Sequence, residues 1–234
     1  MNLIKPLFLA SLLVCAGVTS AQSTKFQGGF GQIGIGYESV SPTSTSGSIS
    51  VNNVTLNANP NFSTSNSVTG TIALGWYQEV AKGFLIGVGA EYSPVEGNKS
   101  GQTVSTSVRA PGQNNIANAY TWQKKNSYNI FVSPAMTVGT DGLAYAKIGY
   151  TGAQAVEYTE LAYNFTGYSL GLGYKQMFSD GWYGFAEANY ASYGSQTRSA
   201  TNAVAVGRQA LSLTASGTNS LTSYNVLVGV GYRF

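Results

Sequence analysis

The sequence predicts an all-β chain: an eight-stranded antiparallel up-and-down transmembrane β-barrel with three short periplasmic turns and four longer extracellular loops. Three observations lead there. Hydrophobicity alternates with a period of two in eight separate segments, the mark of strands with two unlike faces. The segments are joined alternately by tight glycine turns and by long stretches of Ser, Thr, Asn and Gly. Only 9% of the 234 residues are charged, against about 25% in an ordinary soluble domain. Yet beyond residue 21 no apolar run approaches the roughly 20 residues that a membrane helix needs.

The amino terminus reads as an address rather than as structure. Lys5 gives a positive start, residues 7–18 form an apolar run, and Thr19-Ser20-Ala21 supplies small residues for cleavage. This is the pattern of a secretory signal peptide spanning residues 1–21, which leaves 22–234 as a single barrel domain. The lone cysteine, Cys15, lies inside the apolar run behind Val14, which does not suit a lipoprotein site. The mature chain is therefore expected to carry no thiol and no lipid anchor.

The strands follow in order. The first covers about 26–39, with Ile33, Ile35 and Tyr37 outward and Gln32, Gly34, Gly36 and Glu38 inward. In the second, about 67–79, Val68, Ile72, Leu74 and Trp76 oppose Thr69, Thr71, Ala73, Gly75 and Glu79. The third sets Phe84, Ile86, Val88, Ala90 and Tyr92 against Gly87, Gly89 and Glu91. The fourth has Tyr128, Ile130, Val132 and Met136 on one face, and Pro134 among them predicts a local irregularity such as a bulge. Ala144, Ala146, Ile148 and Tyr150 face outward in the fifth, with Lys147 behind. The sixth places Tyr168, Leu170, Leu172 and Tyr174 opposite Ser169 and Lys175, and the seventh places Trp182, Ala186, Ala188 and Tyr190 opposite Glu187 and Asn189. The eighth alternates Tyr224, Val226, Val228, Val230, Tyr232 and Phe234 with Asn225, Leu227, Gly229, Gly231 and Arg233.

Tight turns are expected at residues 80–83, 139–142 and 179–181, where glycine supplies the positive φ that hairpins require. Several of the long connections keep the alternation, as at 49–51, 54–56, 102–108, 203–206 and 211–213. Strands should therefore continue past the bilayer as hairpins.

The outward aromatics argue for a membrane. Phe84 and Tyr92, Trp182 and Tyr190, and Tyr224 and Tyr232 are each eight residues apart. On tilted strands that spacing climbs roughly 20 Å, close to the height of the apolar band. Together with Tyr37, Trp76, Tyr128, Tyr150 and Tyr168 they form the expected aromatic girdle at the two interfaces. In hydrocarbon every backbone amide needs an internal partner, so strands can enter only as a closed sheet.

The inward parity collects Glu38, Glu79, Glu91, Lys147, Lys175, Glu187 and Arg233. Seven charges in a narrow lumen must pair, since an unpaired buried charge is costly. A polar plug is the plain expectation, and a gated ion path through rearranged pairs is the sharper one.

Other chemistry is disfavoured. The chain has no histidine, which removes His-dependent hydrolases and, with no cysteine in the mature chain, makes a transition-metal site unexpected. Gly29-Phe30-Gly31-Gln32-Ile33-Gly34 fits a dinucleotide fingerprint, and Gly167-Tyr168-Ser169-Leu170-Gly171 fits a nucleophile elbow. Both lie within strands and lack the helix that either motif requires. Neither an enzyme nor a cofactor is expected. Removing Lys5 with the leader leaves 11 of the 12 basic residues against 9 acidic ones, a net charge of +2 without a basic block, so nucleic acid is not an expected partner.

The signal peptide, the alternating strands and the ending Val226-Leu227-Val228-Gly229-Val230-Gly231-Tyr232-Arg233-Phe234 resemble the OmpA/OmpX/Opa-like superfamily of small Gram-negative outer-membrane barrels. That resemblance implies outer-membrane localisation, contact with membrane lipid and lipopolysaccharide, and a monomer. It also implies that Tyr232 and Phe234 act as a signal to the barrel-assembly machinery. The resemblance is one of architecture, and a structural role in envelope integrity is the default expectation for function. Two alternatives stand beside it: adhesion or recognition of an extracellular ligand through the loops, and a narrow porin-like pore.

Overall fold

The structure is a computed structural model that describes residues 25–51, 54–106, 116–157, 162–206 and 209–234. The expected leader, residues 1–21 with Cys15, lies outside them. Ten strands form: β1 (Gly28–Val51), β2 (Val54–Phe62), β3 (Ser65–Ala81), β4 (Phe84–Ser93), β5 (Ser100–Thr106), β6 (Ile116–Val138), β7 (Gly142–Glu157), β8 (Ala162–Met177), β9 (Trp182–Val206) and β10 (Gln209–Arg233). Eight of them, all but β2 and β5, pair antiparallel with their sequence neighbours, and β10 closes on β1 from Phe30↔Arg233 upward. The ring is the eight-stranded up-and-down barrel expected from the alternation.

β2 and β5 are additions at the loop end. β2 pairs with β1 at Val51↔Val54 and then with β5, which pairs with β6. They continue the wall above the point where β3 begins. The polar stretches between the barrel strands are thus largely strand themselves. β9 and β10 stay paired up to Val206↔Gln209. Above the aromatic belt their outward face changes character, and hydroxyl pairs Thr197–Thr218, Ser199–Ser216 and Thr201–Thr214 bridge the two strands at 2.8, 3.0 and 2.9 Å. Water rather than lipid suits such a face.

At the other end the turns are tight. Gly83 (φ 77°) and Gly181 (φ 78°) supply the left-handed backbone at the positions expected. In the middle turn Gly139 does so instead of Gly142, which opens β7. Pro134 does not make a bulge. It keeps regular register with Ile86 of β4, and only the ladder to β7 skips Ser133 and Pro134. The bulge of β6 lies nearer the loop end, between Lys125 and Tyr128, with Asn126 at φ 48°.

The large outward apolar residues, from Ile33 to Phe234, are exposed with the exception of Tyr190. Tyr37, Trp76, Phe84, Tyr92, Tyr128, Tyr150, Tyr168, Trp182, Tyr224 and Tyr232 all belong to this outer belt. Tyr190 is half-buried between Tyr168 and Tyr224, its ring 6.4 and 4.9 Å from theirs. An inverted exterior of this kind would be intolerable in water and is the surface a bilayer requires.

The lumen is filled in two apolar layers with a polar one between. Near the turn end Phe26, Phe30, Tyr77, Phe131, Tyr145, Tyr183 and Phe185 pack with Leu85, Leu143 and Leu227. Toward the loop end Val40, Trp122, Phe165, Tyr193 and Leu221 form a second cluster. Six of the lower rings have a glycine directly across the strand pair: Phe30↔Gly75, Tyr77↔Gly87, Phe131↔Gly89, Tyr145↔Gly173, Phe185↔Gly229 and Tyr183↔Gly231. A Cβ on any of these glycines would overlap the ring opposite. The repeated glycines make room for aromatics that fold down across the pleat.

Candidate functional site

The polar layer is built around Lys147. Its ammonium donates to Glu187 Oε1 at 2.6 Å and to Glu91 Oε2 at 3.0 Å. All three side chains are buried or nearly so. Period-two alternation on β4, β7 and β9 aims them inward, and the ring brings the three strands to one level. Glu187 is saturated further: Tyr145 Oη donates to its Oε2 at 2.7 Å, and Asn189 Nδ2 to its Oε1 at 2.7 Å. Asn189 also reaches Asn225 Oδ1 at 2.9 Å. Phe131 lies beneath the Lys147 ammonium, 4.8 Å from ring centroid to Nζ. A buried carboxylate with this many donors is a stable anchor, because few of its lone pairs are left unpaired.

A second ion pair sits nearer the loop end. Lys124 Nζ lies 2.5 Å from Glu38 Oε1, which also accepts from Ser223 Oγ at 2.7 Å. Alternation counted back from Tyr128 places Lys124 outward, so sequence reasoning missed it. The bulge between Lys125 and Tyr128 adds one residue to β6 and reverses the parity above it. Between the two pairs lies a polar cavity lined by Thr71, Glu91, Asn129, Ser169, Asn189 and Asn225.

Lys175 behaves differently from the other interior charges. No carboxylate lies within ion-pair distance of it among the described residues. Its Nζ stands over the Phe30 ring at 3.9 Å, with Tyr183 at 4.7, Tyr77 at 5.1 and Tyr145 at 5.3 Å. It makes a long contact of 3.4 Å to Tyr183 Oη, which in turn donates to Gln32 Oε1 at 3.1 Å. The ammonium thus sits in an aromatic box instead of the ion pair expected of it.

Glu79 and Arg233 lie apart from this network, at the turn end. Glu79 Oε1 accepts from the Gly83 backbone N–H at 3.0 Å and so closes the first turn. Among the described residues Arg233 Nη1 makes a long bond to Gln27 O at 3.5 Å, and its buried Nε has no partner. Of the seven charges on the inward parity, the structure therefore brings Glu91, Lys147 and Glu187 together and sets the other four elsewhere. Tyr232 and Phe234 stack edge to face at 5.7 Å beside the last turn, and Phe234 is exposed.

A closed eight-stranded ring with an apolar belt outside and a packed, charged lumen defines a membrane β-barrel protein. The outer-membrane protein OprG from Pseudomonas aeruginosa has this fold. It is 13% identical, with a TM-score of 0.52 over 91% of this chain and 99% of that one. The protease OmpT from Escherichia coli (8% identical, TM-score 0.46, 92% and 99% covered) is more distantly similar. So is Ail, the attachment invasion locus protein of Yersinia pestis, in complex with a heparin analogue (11% identical, TM-score 0.41, 89% and 100% covered). No family model matches the sequence. No curated protein matches it either.

Proposed function

We propose that this chain is an integral protein of the Gram-negative outer membrane, exported through a cleaved leader, whose barrel is a closed structural scaffold of the envelope and not a conduit or an enzyme. The observation that carries this reading is the Lys147 triad. Two carboxylates from opposite parts of the wall are tied to one lysine across the lumen, with aromatic rings packed below. Moving ions through that plane would require breaking buried ion pairs, at a cost of several kcal/mol each. Lipid and lipopolysaccharide are the partners of the outer belt, and Tyr232 with Phe234 would be offered to the assembly machinery before the last strand closes. Planar-bilayer recording of the purified monomer tests the plug. A silent bilayer is the expected result, and steady unitary conductance would replace this reading with the narrow pore. In cells, the protein should sediment with outer membranes and migrate faster on gels unheated than boiled.

A second reading, recognition through the loop end, rests on the length of the hairpins. β10 continues 15 residues beyond Tyr224, to Gln209, and stays strand throughout. Rigid, hydroxyl-covered hairpins held clear of the membrane are suited to binding. A deletion strain separates the two roles. Loss of attachment with normal detergent resistance supports recognition, whereas detergent sensitivity with normal attachment supports the scaffold.

A further inference from the structure

A cleft of about 460 Å³ lies at the turn end, between the last turn and the end of β10. A water takes up about 30 Å³ of liquid, so the cleft has room for a small polar headgroup together with its hydration. Its walls are held by specific contacts. Gly181 O accepts from Arg233 N–H at 2.8 Å, which ties the last turn to the last strand. The ring of Tyr232 lies against the same turn, where a Cβ on Gly181 would meet it at 2.6 Å. Met177 N–H donates to Asp141 O at 2.8 Å, and Lys25 takes up the Asp141 carboxylate.

That ion pair leaves two charged side chains on the lining, one of each sign. Among the described residues Arg233 has no carboxylate within ion-pair distance and only its long bond to Gln27 O. Asp180, exposed, has no cation within that distance either. The Arg233–Gly181 bond sets them at one edge of the cleft, because Asp180 adjoins Gly181. On the rim stand Phe178 and Phe234, the most exposed aromatic rings among the described residues at 65% and 71%. They continue the outer belt of Trp182 and Tyr232, whose rings are 5.2 Å apart. A barrel's aromatic girdle marks the level where headgroups give way to acyl chains.

We propose that this cleft holds the headgroup of an ethanolamine phospholipid from the leaflet that faces the turns. The phosphate lies on the Arg233 guanidinium, the ammonium on the Asp180 carboxylate, and the acyl chains leave across Phe178 and Phe234. A guanidinium suits phosphate because its N–H donors match the anion's oxygens. An anionic lipid would satisfy Arg233 but leave Asp180 beside a like charge. A choline headgroup has the right charges, yet its quaternary nitrogen has no N–H to donate to Asp180. The proposal rests on the membrane reading above. If that reading failed, the protein would not sediment with membranes, whereas a failed lipid preference leaves sedimentation unchanged.

Native mass spectrometry of the full refolded barrel tests it, with the protein released from nanodiscs of ethanolamine, choline and glycerol phospholipids in equal parts and with matched acyl chains. One ethanolamine lipid should stay bound, at least about tenfold in preference to either of the others. Asp180→Asn should bring the ethanolamine and glycerol lipids to the same level, and Arg233→Gln should lower retention of all three. Lys82→Gln, on the first turn, should change nothing. Excess soluble glycerophosphoethanolamine should not displace the lipid, because it lacks the chains that cross the two rings. Equal retention of the three lipids by the parent, an unchanged preference in Asp180→Asn, or displacement by the soluble headgroup would each overturn the proposal. Asp180 is exposed, so its variant decides the matter even if Arg233→Gln fails to fold.

Discussion

The ring of Tyr145 occupies the space that a side chain on Gly173 would need, while the hydroxyl of the same ring donates to Glu187 at 2.7 Å. One residue thus couples the packing of the lower lumen to the charge network above it. The glycine is what lets the ring lie flat enough to reach. Gly173→Ala should therefore destabilise the barrel by roughly 1–3 kcal/mol, the usual cost of overpacking. Gly184→Ala is the control, because a Cβ there meets nothing nearer than 3.9 Å; its effect should stay within about 0.5 kcal/mol. Urea unfolding of the refolded protein in lipid, followed by gel mobility, measures both.

Lys147 and Lys175 are both buried lysines of the lumen, yet their removal should differ sharply. Lys147→Met strands Glu91 and Glu187 together with no cation between them, and breaking a buried pair in this way costs about 3–5 kcal/mol. Lys175→Met orphans no carboxylate and leaves an apolar chain among four rings. Its stability should stay within about 1 kcal/mol of the parent, since the lost cation–π attraction is offset by the desolvation avoided. Equal losses in the two variants would mean that Lys175 has an ionic partner after all.

The barrel was legible in the sequence because a strand buried on one side and lipid-facing on the other must alternate, and eight segments from Ile33 to Phe234 do so without a break at the bilayer level. The lumen was less legible, for two physical reasons. Parity places a side chain inside but does not fix its height, so Glu79 and Arg233 were grouped with charges from which the tilted ring separates them. Parity also fails across a bulge, and a single extra residue near Asn126 hid Lys124 and Trp122. The inner aromatics carried a usable signal. Each of Tyr77, Tyr145 and Tyr183 has inward parity, and Gly87, Gly173 and Gly231 stand opposite them once the hairpin registers are fixed.

The position of the bilayer can be checked on one strand. Val228 is midway between Tyr224 and Tyr232 on the outer face of β10, whereas Ser216 is outward on the same strand beyond the belt, bonded to Ser199. Val228→Arg should cost roughly 2–4 kcal/mol and Ser216→Arg no more than about 1 kcal/mol, following the depth dependence of charge on a barrel's lipid face. Similar costs at both sites would move the membrane boundary and remove the water-facing assignment of the hairpins.

At the turn end, Lys25 Nζ lies 2.5 Å from Asp141 Oδ1 and ties the segment preceding β1 to the middle turn. The lysine's hydrogen bond, seconded by Thr140, holds the Asp141 carboxyl below its ordinary value of 3.8. A carboxylate whose folded value is depressed adds stability that is present in full above the unfolded value and disappears as pH falls through the folded one. Asp141→Asn should therefore be less stable than the parent at neutral pH, and the gap should close as pH drops below 3.8. Both side chains are well exposed, so the gap is small and shrinks in high salt. Parallel urea titrations at pH 7 and at successively lower pH read it directly. A gap that persisted unchanged in acid would assign the contribution of Asp141 to turn geometry instead of charge, because a hydrogen-bonded turn survives protonation and an ion pair does not.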